Sequence, residues 1–149
     1  MTYLLDANVL IALAWPQHIH HEAAHRWFKN AGSKSWATCA ITQLAFVRIS
    51  SNAAIIADAV TPSLAVAALS EITNLTGHCF WSECLPMAQI DEVSHLAVVG
   101  HRQVTDTYLL AMARHHSGVL ATFDRGVKQL AGSMKTKALQ TPVELLEAK

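Results

Sequence analysis

The chain has little charge and no long apolar run. Only 15% of its 149 residues are charged, and the formal net charge is zero with the histidines neutral. Bulk charge therefore does not predict nucleic-acid binding, although a local basic patch is compatible with it. No apolar run approaches the roughly 20 residues of a membrane-spanning helix, and no basic segment opens the chain. We therefore predict a cytoplasmic protein with no signal peptide and no membrane contact.

Cysteine is also scarce, and internal repeats, linkers and low-complexity segments are absent. The three cysteines, Cys39, Cys79 and Cys84, form no C-x-x-C motif. Their odd number favours reduced core thiols over a disulfide framework. What remains is a single domain over residues 1–149, long enough to bury roughly two-thirds of its unfolded surface. Its hydrophobic content of 52% predicts a well-covered core and an apolar patch that a partner hides.

Short apolar runs alternate with segments of helical periodicity along the whole chain. Strands are predicted at residues 3–5, 35–39, 77–83 and 119–123, and residues 138–146 offer one more strand or a helical turn. Helices are predicted after Asp6, at residues 23–30 and 41–49, from residue 62, from 104 to 118 and around 127–130, with one turn within 85–99. Leu44 and Leu64 are expected on the apolar faces of two of them. The alternation predicts a three-layer α/β/α sandwich with a mainly parallel central sheet.

Three acidic residues lie where predicted strands end or predicted helices begin. Asp6 and Asp124 each end an apolar run, and Asp106 opens the helix that precedes Gly118. Each acid alone is explained equally well as a helix cap or a turn residue. Because strand ends converge at one edge of a parallel sheet, the three side chains are expected to meet. Carboxylates held close repel one another, so their convergence predicts a site for a hard divalent cation.

Three segments resemble the conserved motifs of a known family. Residues 4–10 (LLDANVL), 104–109 (VTDTYL) and 121–124 (ATFD) are similar to those of PIN domains, and in particular to the VapC-like toxins of bacterial toxin–antitoxin pairs. The resemblance runs from Leu4 to about Leu145, in the expected order, and includes the helices near residues 20–28 and 42–48. Each motif is weak alone, whereas the ordered set is specific.

The resemblance implies a function as well as a fold. It implies an endoribonuclease that depends on Mg²⁺ or Mn²⁺, hydrolyses RNA by means of metal-activated water, is neutralised by a cognate antitoxin and forms a homodimer. Carried over by position, Asp6, Asp106 and Asp124 are expected to bind the metal. Asn8 and Thr122 are expected to support them, and Arg48 to orient one of the acids.

One position departs from the family pattern. Where PIN domains usually carry a glutamate early in the third helix, this chain has Gln43. An amide can ligate a metal weakly through its oxygen, but it carries no charge and cannot act as a base. Glu22, Asp91 or Glu92 could replace the missing acid, although nothing in the sequence places them there. The departure motivates an alternative function, a catalytically weak or silent module that still binds RNA or a partner.

Two other interpretations were weighed. A haloacid-dehalogenase-like phosphotransfer enzyme also places acids at strand ends, but it needs an Asp-x-Asp after the first strand or a late lysine, and this chain has Asp6-Ala7-Asn8. A histidine cluster, in which His21 and His25 have zinc-compatible i, i+4 spacing, lacks a HExxH motif and a nearby thiol. We expect it to be a solvated helix start. The cluster comprises His18, His20, His21 and His25.

Overall fold

A computed structural model describes residues 1–82, 85–94, 100–134 and 136–147 of the chain. Its centre is a five-stranded sheet in the order β3-β2-β1-β4-β5, and all four pairings are parallel. The strands are β1 (Tyr3–Leu5), β2 (Trp36–Cys39), β3 (His78–Trp81), β4 (Val119–Thr122) and β5 (Val143–Leu145). Of the two predictions for residues 138–146, the strand is therefore confirmed. Because all pairings are parallel, the carboxyl ends of the five strands lie at one edge of the sheet.

Helices connect the strands and cover the sheet. They are α1 (Ala7–Ala14), α2 (His21–Asn30), α3 (Ala40–Ser50), α4 (Pro62–Thr73), α5 (Asp91–Ser94), α6 (Val104–His115) and α7 (Arg125–Gly132). Pro62 occupies the first turn of α4, behind a Thr61 side chain that accepts a hydrogen bond from the Leu64 N–H, as is typical of a helix start. The part of the chain that the structure describes has no helix long and apolar enough to span a membrane.

Two apolar cores lie on opposite faces of the sheet, because successive strand side chains point to opposite sides. Leu5, Trp36 and Ala121 pack against the helices α1 to α4. Leu4 and Leu120 pack against α6 and α7 instead. The predicted three-layer α/β/α sandwich with a parallel sheet is therefore confirmed.

Some details of the helix faces and the cysteines differ from prediction. Leu44 and Leu64 are 66% and 58% exposed, and α3 buries Thr42, Phe46 and Ser50 instead. Helical spacing alone could not choose between two apolar stripes on α3, and contact with Trp15 stacked on Phe46 decides it. Cys39 is buried, whereas Cys79 is an exposed thiol rather than a core one, and Cys84 lies outside the described residues.

The strand order places a topological switch point between β1 and β4. From β1 the chain adds β2 and β3 on one side, and from β4 it adds β5 on the other. In open α/β sheets the crevice at the carboxyl ends of such strands is the usual place for a ligand. Asp6 follows β1 directly and Asp124 lies two residues after the end of β4, so both acids border this crevice.

Candidate active site

Asp6 combines the structural and the functional interpretation. It is the N-cap of α1, and its Oδ1 accepts a hydrogen bond from the Ala7 N–H at 2.7 Å. Its Oδ2 accepts a bond from the Thr122 hydroxyl at 2.7 Å, across the gap between β1 and β4. Burial raises the pKa of Asp6, the bonds from Thr122 and Ala7 lower it, and the charge of Asp124 raises it again, with a net rise. The side chain that caps α1 is thus a carboxyl group whose charged form is destabilised by burial and by Asp124.

Asn8 and Thr122 hold the backbone around the acids. The Thr122 hydroxyl donates to Asp6 and accepts from Asn8 Nδ2 at 3.0 Å and from the Asp124 N–H at 3.1 Å. Asn8 Oδ1 in turn accepts from the Phe123 N–H at 3.2 Å. Thr122 is fully buried. These bonds tie the first turn of α1 to the end of β4, and the supporting role of both side chains stays a prediction.

Asp106 reaches the same crevice from the other side of the sheet. It lies in the first turn of α6, which packs on the face occupied by Leu4 and Leu120. Burial raises its pKa to about 6, and the charges of Asp6 and Asp124 add to the rise. Asp124 itself is exposed, and its Oδ1 accepts a hydrogen bond from the Gly126 N–H at 2.8 Å. The three acids are therefore near enough to repel one another.

The arrangement fits a cation by its charge but is not a closed chelate. Three carboxylates converge, and no Lys, Arg or His is among the causes of the raised pKa values of Asp6 and Asp106. Within the described ranges, no three His, Cys, Asp or Glu side chains are close enough to hold a metal ion as they stand. Mg²⁺ keeps several waters and takes only one or two carboxylates directly, so these residues suit a hydrated ion.

Gln43 lies at the neighbouring strand end, and its recorded hydrogen bond goes to the sheet. Its Nε2 donates to Thr38 Oγ1 at 2.9 Å, and Thr38 Oγ1 lies 2.8 Å from His78 Nε2. Thr38 shares a strand with Trp36, two residues away, and therefore the sheet face that α1 to α4 cover. A part for Gln43 in catalysis stays a prediction.

The structure also places three other charged residues that the sequence suggested for the site. Arg48 lies exposed in the last turn of α3, and its role of orienting an acid stays a prediction. Glu92 is fully buried and forms a bidentate ion pair with Arg114, with Nε–Oε2 at 2.8 Å and Nη2–Oε1 at 3.1 Å. Glu92 is therefore already paired, and Glu22 is exposed in the first turn of α2.

The histidine cluster has contacts that sequence reasoning missed. His21 Nδ1 lies 2.7 Å from the Ala12 carbonyl and His25 Nε2 lies 2.8 Å from the Leu13 carbonyl, so both bind the C-terminal turn of α1. His20 stacks on Phe123, beside the acids. The i, i+4 spacing identified the first pair as neighbours. Nothing in the sequence signals a contact between residues 103 positions apart.

Known proteins resemble this chain over nearly its whole length. The PIN domain profile matches residues 3–133. Ribonuclease VapC39 of Mycobacterium tuberculosis is 46% identical over 133 residues, which cover 89% of this chain and 96% of that protein. Ribonuclease VapC38 of the same species is 41% identical over 143 residues, 96% of each chain.

Solved structures agree on the fold. The crystal structure of VapC20 of Mycobacterium tuberculosis, described as a sarcin–ricin loop cleaving toxin, superimposes with a TM-score of 0.64. The match covers 90% of this chain and 98% of that one, at 14% sequence identity. At such low identity the likeness bears on the fold alone.

Proposed function

Because this chain belongs to the PIN domain family, we propose that it is a divalent-metal-dependent endoribonuclease, the toxin of a toxin–antitoxin pair. Its relatives VapC39 and VapC38 are named ribonucleases, and the chain spans 96% of the length of each. The proposed substrate is RNA, and the proposed cofactor is Mg²⁺ or Mn²⁺. We further propose that it acts in the cytoplasm.

The observation that carries the proposal is the convergence of Asp6, Asp106 and Asp124 at the switch point. Burial raises the pKa of Asp106 to about 6, and the charges of Asp6 and Asp124 add to the rise, so the site holds negative charges that repel one another. Such a cluster of charges at a ligand-binding edge supports a cation site, because a cation offsets the repulsion that the fold leaves in place.

The residues divide the work by position. Asp6, Asp106 and Asp124 hold the cation, which supplies Lewis-acid polarisation of the phosphate and of water. Thr122 and Asn8 fix the Asp6 carboxylate and the backbone before Asp124, so the donor set is ordered before substrate arrives. Asp106, whose pKa is about 6 in the metal-free protein, would give up its proton as the cation binds.

Gln43 motivates the second candidate, a catalytically weak or silent PIN-like module that binds RNA or a partner. The supporting observation is that Gln43 binds Thr38. With glutamine at position 43, the site has three acids instead of the four that the family usually carries. The two candidates differ in one measurable property. A silent module binds RNA and leaves it intact in the presence of Mg²⁺ or Mn²⁺.

The partner that we propose is an antitoxin with a short apolar segment. A cavity of about 270 Å³ lies between α1 and the loop after α3. Its apolar lining is Ile11, Trp15, Ile19, Ile55 and Ile56. Ile19 is 87% exposed and Ile55 is 63% exposed, so apolar surface is available there to a partner. If the gene upstream encodes this partner, the co-expressed product copurifies and inhibits, and Ile55→Asp weakens the complex.

We also propose a homodimer, for which the exposed apolar residues are the motive. Large apolar side chains at Leu44, Leu64, Val66 and Leu75 are each at least half exposed. Light scattering at micromolar concentration is expected to give twice the mass of the chain, 16.2 kDa. A strict monomer would contradict this part of the proposal.

The experiment that tests the function is RNA cleavage with and without cation. Purified protein is incubated with total RNA in EDTA, Mg²⁺ or Mn²⁺, and the new ends are mapped by sequencing. We expect discrete cleavage with cation and none in EDTA. Cleavage that persists in EDTA would contradict the metal-dependent mechanism, and binding without cleavage in either cation would favour the silent module.

A further inference from the structure

The stacked rings of His20 and Phe123 lie next to the acids and have no part in the proposed chemistry. Their centroids are 4.7 Å apart, and their planes differ by 19°. Phe123 is the residue between Thr122 and Asp124, so its Cα lies about 3.8 Å from that of an acid. The ring pair therefore adjoins the backbone that carries Asp124.

Hydrogen bonds fix the backbone of both residues. The Phe123 N–H donates to Asn8 Oδ1 at 3.2 Å, and the His20 N–H donates to His18 Nδ1 at 3.1 Å. The His20 carbonyl accepts from the Ala24 N–H at 2.9 Å, in the first turn of α2. The backbone that carries the two rings is thus fixed, which reduces the ordering needed when a planar ligand binds.

The His20 ring also contacts the His18 ring, with centroids 5.6 Å apart and planes that differ by 55°, and it lines a cavity. His20 is half-buried, and neither of its ring nitrogens has a hydrogen-bond partner among residues 1–82, 85–94, 100–134 and 136–147. A cavity of about 410 Å³ adjoins it, with His18, His21 and Glu22 as further polar lining. That volume lies in the range of roughly 300–1,000 Å³ that small-molecule sites occupy.

The lining indicates which part of a nucleotide fits the cavity. None of its described lining residues is Lys or Arg, and Glu22 repels phosphate. Imidazole and carboxylate groups suit the edges of a base or the hydroxyls of a ribose, and a fixed aromatic face suits base stacking. The chemistry therefore favours a nucleoside moiety over a phosphate group.

We propose that His20, backed by Phe123 and flanked by His18, forms a nucleotide subsite in which the accessible part of its ring stacks on a base adjacent to the scissile phosphate. This inference rests on the proposed function, since it concerns the same RNA. His20 contacts substrate through its ring and takes no part in proton transfer. The base lies in the cavity beside residues 16–23, and the phosphate that follows it reaches the acids.

The first test separates binding from chemistry. His20→Ala removes the ring, His20→Phe keeps a stacking face without ring nitrogens, and Phe80→Ala removes an exposed aromatic from the outermost strand as a matched control. With the RNA that the wild type cleaves, we expect His20→Ala to raise KM about fivefold or more, with kcat within about twofold. His20→Phe and Phe80→Ala are expected to stay within about twofold in KM.

The second test removes the metal and therefore the activity. Short oligoribonucleotides that carry 2-aminopurine at successive positions are titrated with protein in EDTA. Stacking quenches 2-aminopurine fluorescence, so wild type and His20→Phe are expected to quench it at one position next to the cleavage site. His20→Ala is expected to lose that quenching, while its thermal unfolding midpoint stays near that of the wild type.

The outcomes distinguish this inference from the proposed function. Wild-type protein that neither cleaves nor binds RNA would overturn both. Wild-type protein that cleaves, with His20→Ala unchanged in KM and quenching, would overturn only the subsite. A His20→Phe variant as defective as His20→Ala would replace stacking by a contact of the ring nitrogens. A loss of thermal stability in His20→Ala without a change in binding would make the ring pair purely structural.

Discussion

One polar cluster lies at the end of β2, and another lies at the β1–β4 crevice. The groups of the first are paired by hydrogen bonds, whereas those of the second repel one another. At the end of β2, Gln43, Thr38 and His78 form a chain of hydrogen bonds, and burial lowers the pKa of His78 towards the neutral ring. At the β1–β4 crevice, by contrast, three carboxylates converge, and the pKa of Asp106 rises to about 6. The first cluster stabilises the fold.

The second cluster costs stability, and that cost points to function. A fold gains nothing from holding Asp106 near Asp6 and Asp124 unless a ligand offsets the repulsion. Polarity alone does not separate the two clusters, since both are partly buried and both lie at strand ends. Net charge and raised pKa values do separate them.

The largest effect is expected when an acid is neutralised. Asp6→Asn, Asp106→Asn and Asp124→Asn should each lower Mg²⁺-dependent RNA cleavage at least about a hundredfold, because the acids act together on one cation. A double variant should be hardly worse than a single one. Cleavage rates of single and double variants measure this, with Asp58→Asn, at an exposed acid in the loop after α3, as the matched control. Full activity in one variant would remove that residue from the site.

A smaller effect, of opposite sign, is expected on stability. The pKa of Asp106 is about 6 in the folded protein against an ordinary 3.8, so folded protein holds its proton more tightly than unfolded protein. The free energy of unfolding should therefore fall as pH rises from about 4 to about 6. Asp106→Asn should reduce this fall, to which the raised pKa of Asp6 also contributes, and stabilise the metal-free protein at pH 7 by ~1 kcal/mol, a value reduced for solvent screening.

Urea unfolding at pH 4.5 and pH 7 in EDTA measures this difference. Asp58→Asn again serves as control and should change neither value. Equal stability of wild type and Asp106→Asn at pH 7 would contradict a raised pKa of Asp106 in the folded protein.

Residue 43 belongs to the β2 cluster, and a substitution there tests whether it can also act at the crevice. Gln43→Glu removes the N–H that binds Thr38 and adds a fourth negative charge near the crevice. Attraction to the cation, partly offset by carboxylate repulsion and desolvation, should tighten Mg²⁺ binding by roughly 1–2 kcal/mol, about ten- to thirtyfold in Kd. Calorimetric titration decides this, with the neutral Gln43→Met as control. Unchanged affinity would place residue 43 wholly in the β2 cluster.

The smallest effect on function is expected from Thr38. Thr38→Val keeps the shape of the side chain but removes the hydroxyl that links Gln43 to His78. The free energy of unfolding should fall by about 1–2 kcal/mol, because two partly buried groups lose a partner. Mg²⁺ affinity should not change. Urea unfolding and calorimetry test the two halves, and a large loss of affinity would merge the two clusters into one site.

The sequence predicted the strands and the acid positions well because their signals are local. Residues 3–5 and 119–123 are short apolar runs closed by Asp6 and Asp124, and β1 and β4 lie there. Parallel pairing then follows from the alternation of strands and helices. The resemblance to PIN domains added which of the many acids belong together, a choice that periodicity cannot make.

The features that could not be predicted depend on contacts between distant residues. On α3, Phe46 rather than Leu44 faces the apolar core, because Trp15 stacks on Phe46. The ion pair between Glu92 and Arg114 joins α5 to α6, and no spacing rule relates the two residues. The stacking of His20 on Phe123 likewise exists only once the loop before α2 has packed against the end of β4.

The central claim is that Asp6, Asp106 and Asp124 bind one divalent cation together. Calorimetric titration of the wild type with Mn²⁺ at pH 6, in two buffers of different ionisation enthalpy, tests it most directly. Because the pKa of Asp106 is about 6, the account predicts one binding site and the release of a substantial fraction of a proton. Asp106→Asn should lose both the proton release and most of the affinity. Binding that is unchanged in Asp106→Asn, or that releases no proton in the wild type, would contradict the account.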